Sequence, residues 1–156
     1  MDDKAEAFWT WTLAFYAGPG LSPALLHLQD RNGADVNIVL FLLWQATLGH
    51  QMLTPADCAA LDGAVGGWRS EVVEPLRGLR RKLKGQGEDE VRGPIAAAEL
   101  AAERSAQKRL VAALPNRPAA ATPRREIAAG NLLAYAAFKQ GAFDEAAVTT
   151  LLEALG

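Results

Sequence analysis

"LQDRNGADVNIVLFLLWQATLG" (residues 28–49) is the stretch whose reading decides the fold. Val36, Ile38, Val39, Leu40, Phe41, Leu42, Leu43, Trp44, Ala46 and Leu48 fall on every side of a helical wheel. A helix that is apolar all round must be enclosed by others. The spacing therefore predicts a central helix over about 36–48 in a bundle. Just ahead of it stand Asp30, Asp35 and Asn37, and their purpose is the question this sequence poses.

Composition supports the same architecture. There are 31 Ala and 22 Leu against 8 Val and 3 Ile. Ala and Leu lose little on entering a helix, whereas β-branched residues favour strands. At 156 residues and 50% hydrophobic content, the chain can bury a sizeable core. The expected fold is all-α: one domain over residues 1–156, a bundle of six to seven helices.

Helix starts can be read outward from the centre. Ser22-Pro23, Thr54-Pro55 and Thr122-Pro123 each set a hydroxyl before a proline, the pattern of an N-cap followed by a first helical residue that needs no donor. Asp144 offers another cap, with Phe143 and Val148 placed as a hydrophobic staple. Expected helices cover about 4–17, 23–32 (closed by Gly33), 36–48, 54 to the low 80s, 95–114, 123–140 and 144–155. The fourth should kink or split at Gly66-Gly67 and Pro75. "KGQGEDEVRGP" (84–94) and "PNRPAAATP" (115–123) read as exposed connections. In the fifth helix, Ile95, Ala98, Ala102, Ala106 and Leu110 form an inward stripe of small residues. Glu99, Glu103 and Gln107 line a neighbouring face.

The acidic corner has two readings. In one, Asp35 caps the central helix, and Gln29 and Asp30 bond to nearby backbone or to an arginine. In the other, Asp30, Asp35 and Asn37, with His27 close by, form a polar ligand site. A calcium loop fails the test: D-R-N-G-A-D places oxygens at loop positions 1, 3 and 6, and position 12 is Phe41 where glutamate is needed. His27 and His50 lack the spacing of a zincin or a di-iron bundle, and no phosphate-loop, dinucleotide or nucleophile-elbow motif is present. The sequence thus offers no catalytic residue, metal ligand or cofactor.

"RGLRRKLK" (77–84) concentrates positive charge. Residues 1–53 hold five acids (Asp2, Asp3, Glu6, Asp30, Asp35) but only Lys4 and Arg31 as cations. Arg77, Arg80 or Arg81 are therefore expected to pair with one of those acids or with Glu99 or Glu103, the alternatives being a solvated cationic face and an anion-binding patch. Net charge −2 and pI 5.7 give no reason to expect nucleic acid. The longest apolar run, Ile38 to Trp44, falls far short of the ~20 residues a membrane span needs. The single cysteine, Cys58, reads as a small apolar core residue. The start MDDKAEAFW lacks the layout of an export signal, so the expected location is cytoplasmic.

"FWTWTLAFYAGPGLSPALLHLQDRNGADVNIVLFLLW" (8–44) resembles the opening of a family of short, uncharacterised proteobacterial proteins known as conserved hypotheticals. Their pattern runs FW…LA-Y…PG…LL-LQD-x-x-G-x-DVN-x-L-F-x-LW. "VVEPLRGLRRKLK" (72–84) and "AAELAAER" (97–104) extend the resemblance. It implies no activity, cofactor or catalytic residue. Two functions stay open. One is a non-catalytic module that binds a protein partner or itself, as in a homodimer. The other is a small-molecule binder or enzyme with a polar pocket at the corner of helices two and three.

Overall fold

The structure is a computed structural model that describes residues 3–156; Asp2, one of the acids counted above, lies outside them. Among the described residues there are eight α-helices and no strand. They are α1 (Asp3–Tyr16), α2 (Leu21–Asn32), α3 (Val36–Thr47), α4 (Pro55–Trp68), α5 (Glu74–Leu83), α6 (Asp89–Ala113), α7 (Arg124–Phe138) and α8 (Glu145–Glu153). A π-helical turn, Arg69–Val73, joins α4 to α5 without a break, so the chain makes seven rods of an all-α bundle.

The rod α3 lies at the centre, packed by α1, α2, α6 and α7, and every residue from Val36 to Ala46 is buried. Its aromatic residues interlock with α1. Phe8 stacks on Trp44 at 4.8 Å between centroids and meets Phe41 edge-on at 5.7 Å. Each fully buried side chain of this size contributes about 1.5–3 kcal/mol, so α3 and its neighbours hold much of the fold's stability. α8 packs on α2, α4 packs on both α6 and α7, and α5 lies along α6.

Three caps form as their sequences require. Asp35 accepts from the Asn37 amide and Asp144 from that of Ala147, while Thr54 and Asp57 make a reciprocal capping box. Gly33, at φ 66°, closes α2 in the left-handed conformation that favours glycine.

Two other expected caps are corrected. α2 begins at Leu21 behind Gly20, whose φ of 75° turns the chain into the helix before Ser22 is reached. Pro23 then falls in the first turn, where its missing donor costs nothing. At α7 the cap position belongs to Pro123 itself, with ψ 142°, so Thr122 lies one residue too early.

The fourth rod departs from expectation in a similar way. It passes through Gly66-Gly67 unbroken, and the irregularity is the π turn just before Pro75. There the Glu74 amide bonds to the Arg69 carbonyl, five residues back, and the ladder shifts register where the proline would strand a carbonyl.

The fifth rod starts at Asp89, not 95, and carries Pro94 inside it. Asp89 and Glu90 suit the positive end of the helix dipole, and packing on α5 offsets the lost hydrogen bond. Its inward face is also corrected: Ala98 is exposed, whereas Glu99 and Gln107 are buried beside Ala102, Ala106 and Leu110.

Candidate functional site: a cavity beside the central helix

The acidic corner is built around one arginine. Asp35 Oδ1 accepts from the Asn37 amide at 2.8 Å, and Asp35 Oδ2 lies 2.9 Å from Arg69 Nη1. The Asp35 amide in turn donates to Tyr135 Oη at 3.0 Å. Arg69, the first residue of the π turn, also pairs with Asp62 at 3.0 Å. Burial favours the neutral guanidine, but the Asp35 and Asp62 carboxylates outweigh it and raise the Arg69 pKa. Burial likewise pushes the Tyr135 hydroxyl up, so it remains a neutral donor and acceptor.

The other corner residues point elsewhere. Asp30 is half exposed, 3.6 Å from Arg81 and bonded by Gln29 Nε2 at 3.3 Å. His27, also half exposed, faces Asp144 at 3.9 Å. Thus His27, Asp30 and Asp35 do not converge on one point.

Asn37 does converge with the charged residues of α5 and α6. Arg77 and Arg80 sit three apart on α5, and Glu99, Glu103 and Gln107 repeat at four-residue spacing on α6, so the rows face each other. Arg77 Nε meets Glu99 Oε2 at 3.3 Å and Arg77 Nη2 meets Glu103 Oε1 at 3.4 Å. Arg80 grips both oxygens of Glu99, which is only 6% exposed. Behind them Gln107, fully buried, donates to Thr12 Oγ1 at 2.9 Å and to Asn37 Oδ1 at 3.2 Å. Gln107 Oε1 has no partner among the described residues.

These groups wall a cavity of about 470 Å³ between α1, α2, α3, α5 and α6. Trp9, Leu13, Leu26, Leu40 and Leu100 supply its apolar lining, and Tyr16, Asn37, Arg77, Arg80, Arg81, Glu99 and Glu103 its polar lining. Leu13, Leu26 and Leu100 stand on the rim, 51%, 40% and 51% exposed. A second cavity of about 280 Å³ adjoins it and shares Gln29, Val36, Asn37 and Arg77, reaching Asp35 and Arg69.

The donor groups of the larger cavity without a protein acceptor among the described residues include Asn37 Nδ2, Arg77 Nη1, Arg80 Nη1 and Tyr16 Oη. Burial, then the neighbouring Glu103, pushes the Tyr16 hydroxyl up to about 12, so it keeps its proton. Burial and the adjacent Glu99 also raise the Glu103 carboxyl above its ordinary value.

The residues that sequence alone missed here are Thr12, Tyr16 and Gln107 as parts of one polar seam. Their signal was faint: Glu99, Glu103 and Gln107 share a helical face, but their partners lie on α1, α3 and α5. Cys58 is fully buried and its thiol is pushed up to about 12 by burial, so it behaves as a core residue. Among the described residues no group of three or more His, Cys, Asp or Glu could hold a metal ion, and no helix is long and apolar enough to cross a membrane.

No curated protein and no solved structure matches the chain. All the residues lining the larger cavity fall between Trp9 and Glu103. Residues 7–110 match the model of a family described as a protein of unknown function (DUF2390), and the chain belongs to that family.

Proposed function

We propose that this chain is a binding protein for a small molecule with an apolar body, held in the cavity between α1, α2, α3, α5 and α6. One observation carries the reading. Side chains from five helices meet there as an apolar wall with a few oriented polar groups, in a volume suited to a small ligand. The acids at the start of α3 serve as cap and arginine partner, and the binding groups lie one turn further along its wall. Titration with Nile red, a neutral apolar dye, tests the idea. The expected result is saturable one-to-one binding that is lost in Leu100→Arg, a rim substitution that leaves the melting temperature unchanged. Failure to bind, or equal binding by the variant, overturns it.

Contact with a second copy of the chain is a second reading, and one specific observation favours it. Leu133 is 72% exposed, beside a groove of about 610 Å³ between α7 and α8 lined by Leu132, Ala136, Phe143 and Val148. Among the described residues, Glu145 is the only charged one lining it. A nearly uncharged apolar patch is its own complement across a two-fold axis. Light scattering should then give a dimer that Leu133→Glu converts to monomer; a monomeric wild-type chain rejects this reading.

A further inference from the structure

The cavity's unused hydrogen-bonding groups specify the ligand's head. We infer that the ligand is an amphipathic monocarboxylate, its carboxylate received by Asn37 Nδ2, Arg77 Nη1 and Tyr16 Oη and its apolar body laid against Trp9, Leu26, Leu40 and Leu100. The inference rests on the cavity being a binding site, as proposed above.

The first argument is the direction of the hydrogen bonds. Gln107 Nε2 bonds Asn37 Oδ1 at 3.2 Å and is itself held by Thr12, so the Asn37 carbonyl faces inward and its amide hydrogens face the cavity. Asn37 is only 8% exposed overall, yet Nδ2 is not among the sealed, unpaired atoms of the interior, so it opens into the space the residue lines. Arg77 commits Nε and Nη2 to Glu99 and Glu103, which fixes the guanidinium plane and leaves Nη1 over. Asn37 and Arg77 are also both shared between the two adjoining cavities, which places them on one common wall. Orientation by buried partners is what makes such donors selective.

Charge is the second argument. Three arginines line the cavity (Arg77, Arg80, Arg81) against two glutamates (Glu99, Glu103), and Arg81 is also faced by Asp30 at 3.6 Å. Both oxygens of Glu99 are held by arginines, and Glu103 Oε1 by Arg77. Of the oxygens of these two glutamates, Glu103 Oε2 alone has no partner among the described residues. Burial, then Glu99, raises the Glu103 carboxyl above the ordinary value, which weakens its opposition to an anion. With both glutamates held by arginines, the unused donors of the lining suit an anionic head that accepts, and an ammonium, which can only donate, would meet donors.

The test is calorimetric titration of the whole chain with decanoate, decylamine and decanol, three probes with one tail and different heads, each below its micellar concentration. Decanoate is expected to bind at least about tenfold more tightly than either of the others, the usual worth of a charged hydrogen bond. Tyr16→Phe should weaken decanoate more than decanol, because a charged acceptor loses the stronger hydrogen bond. Asn37→Asp should invert the preference toward decylamine, a reversal that a purely structural role for Asn37 would not produce. Comparable binding of all three probes, or preference for decylamine by the wild-type chain, overturns the head-group assignment while the cavity reading stands. Binding of none of them by the folded chain removes the cavity reading itself.

Discussion

Asp35 and Arg69 lie 2.9 Å apart across 34 residues of sequence, and this pair locks the start of α3 to the π turn in the fourth rod. The same carboxylate caps α3 through its other oxygen. Asp35→Asn keeps an acceptor for the cap but loses the charge, and should cost about 1–3 kcal/mol. Asp35→Ala also loses the cap, adding about 1 kcal/mol. Urea unfolding of both variants checks the order; equal losses would mean that capping contributes nothing at this corner.

The glutamates of α6 should differ sharply. Glu99 is buried, and its loss leaves Arg77 and Arg80 without their shared partner. Glu99→Gln is expected to cost about 3 kcal/mol. Glu103 makes one pair at 3.4 Å and is disfavoured as an anion by burial and by Glu99. Glu103→Gln should therefore cost less than about 1 kcal/mol. Thermal and urea unfolding of the two variants provide the comparison.

Three Ser/Thr-Pro pairs look alike in sequence and should behave differently. Thr54→Ala breaks a capping box and should lose about 1 kcal/mol. Ser22→Ala and Thr122→Ala remove hydroxyls that cap nothing, so each should change stability by less than about 0.5 kcal/mol. Equal losses at all three sites would contradict the assigned helix starts.

His50 makes stability depend on pH. Burial first, then Arg117 and Lys4, lower its pKa below the ordinary 6.5, and Nδ1 lies 2.6 Å from Gln45 Oε1. The folded chain thus favours the neutral ring, while the unfolded chain takes up the proton first. The contribution is complete above the ordinary histidine value and is lost as pH falls through the lowered one. Relative to His50→Gln, the wild-type chain should be more stable at about pH 8 than at about pH 5. A difference independent of pH would contradict this.

How much of this was legible in the sequence depended on how local the cause was. The burial of α3 followed from nine apolar residues on all its sides, whereas Leu48, just past its end, is exposed. The caps at Asp35 and Asp144 followed from a single side chain each and that at Thr54 from the local Thr54–Asp57 box. Ser22 and Thr122 misled because the outcome was set by backbone angles at Gly20 and Pro123, which the hydroxyl pattern does not encode. Glu99 and Gln107 misled for another reason. Charged and amide groups belong outside by default, and only partners 19 to 95 residues away in sequence allow them inside. Asn131 is the extreme case: fully buried in α7, it accepts from the Leu53 amide at 2.7 Å and donates to the Leu42 carbonyl at 2.9 Å. Nothing near it in sequence announces either bond.

The central claim is that the wall of α3, and not its acidic cap, receives a ligand. Nuclear magnetic resonance of the ¹⁵N-labelled chain during decanoate titration tests this most directly, because the Asn37 side-chain amide and the Arg77 Nε–H report from the cavity itself. The account predicts that these two signals, with the backbone amides of Leu26, Leu40 and Leu100, shift together and saturate. Shifts confined to the groove around Leu133, or none at all in the folded chain, would contradict it.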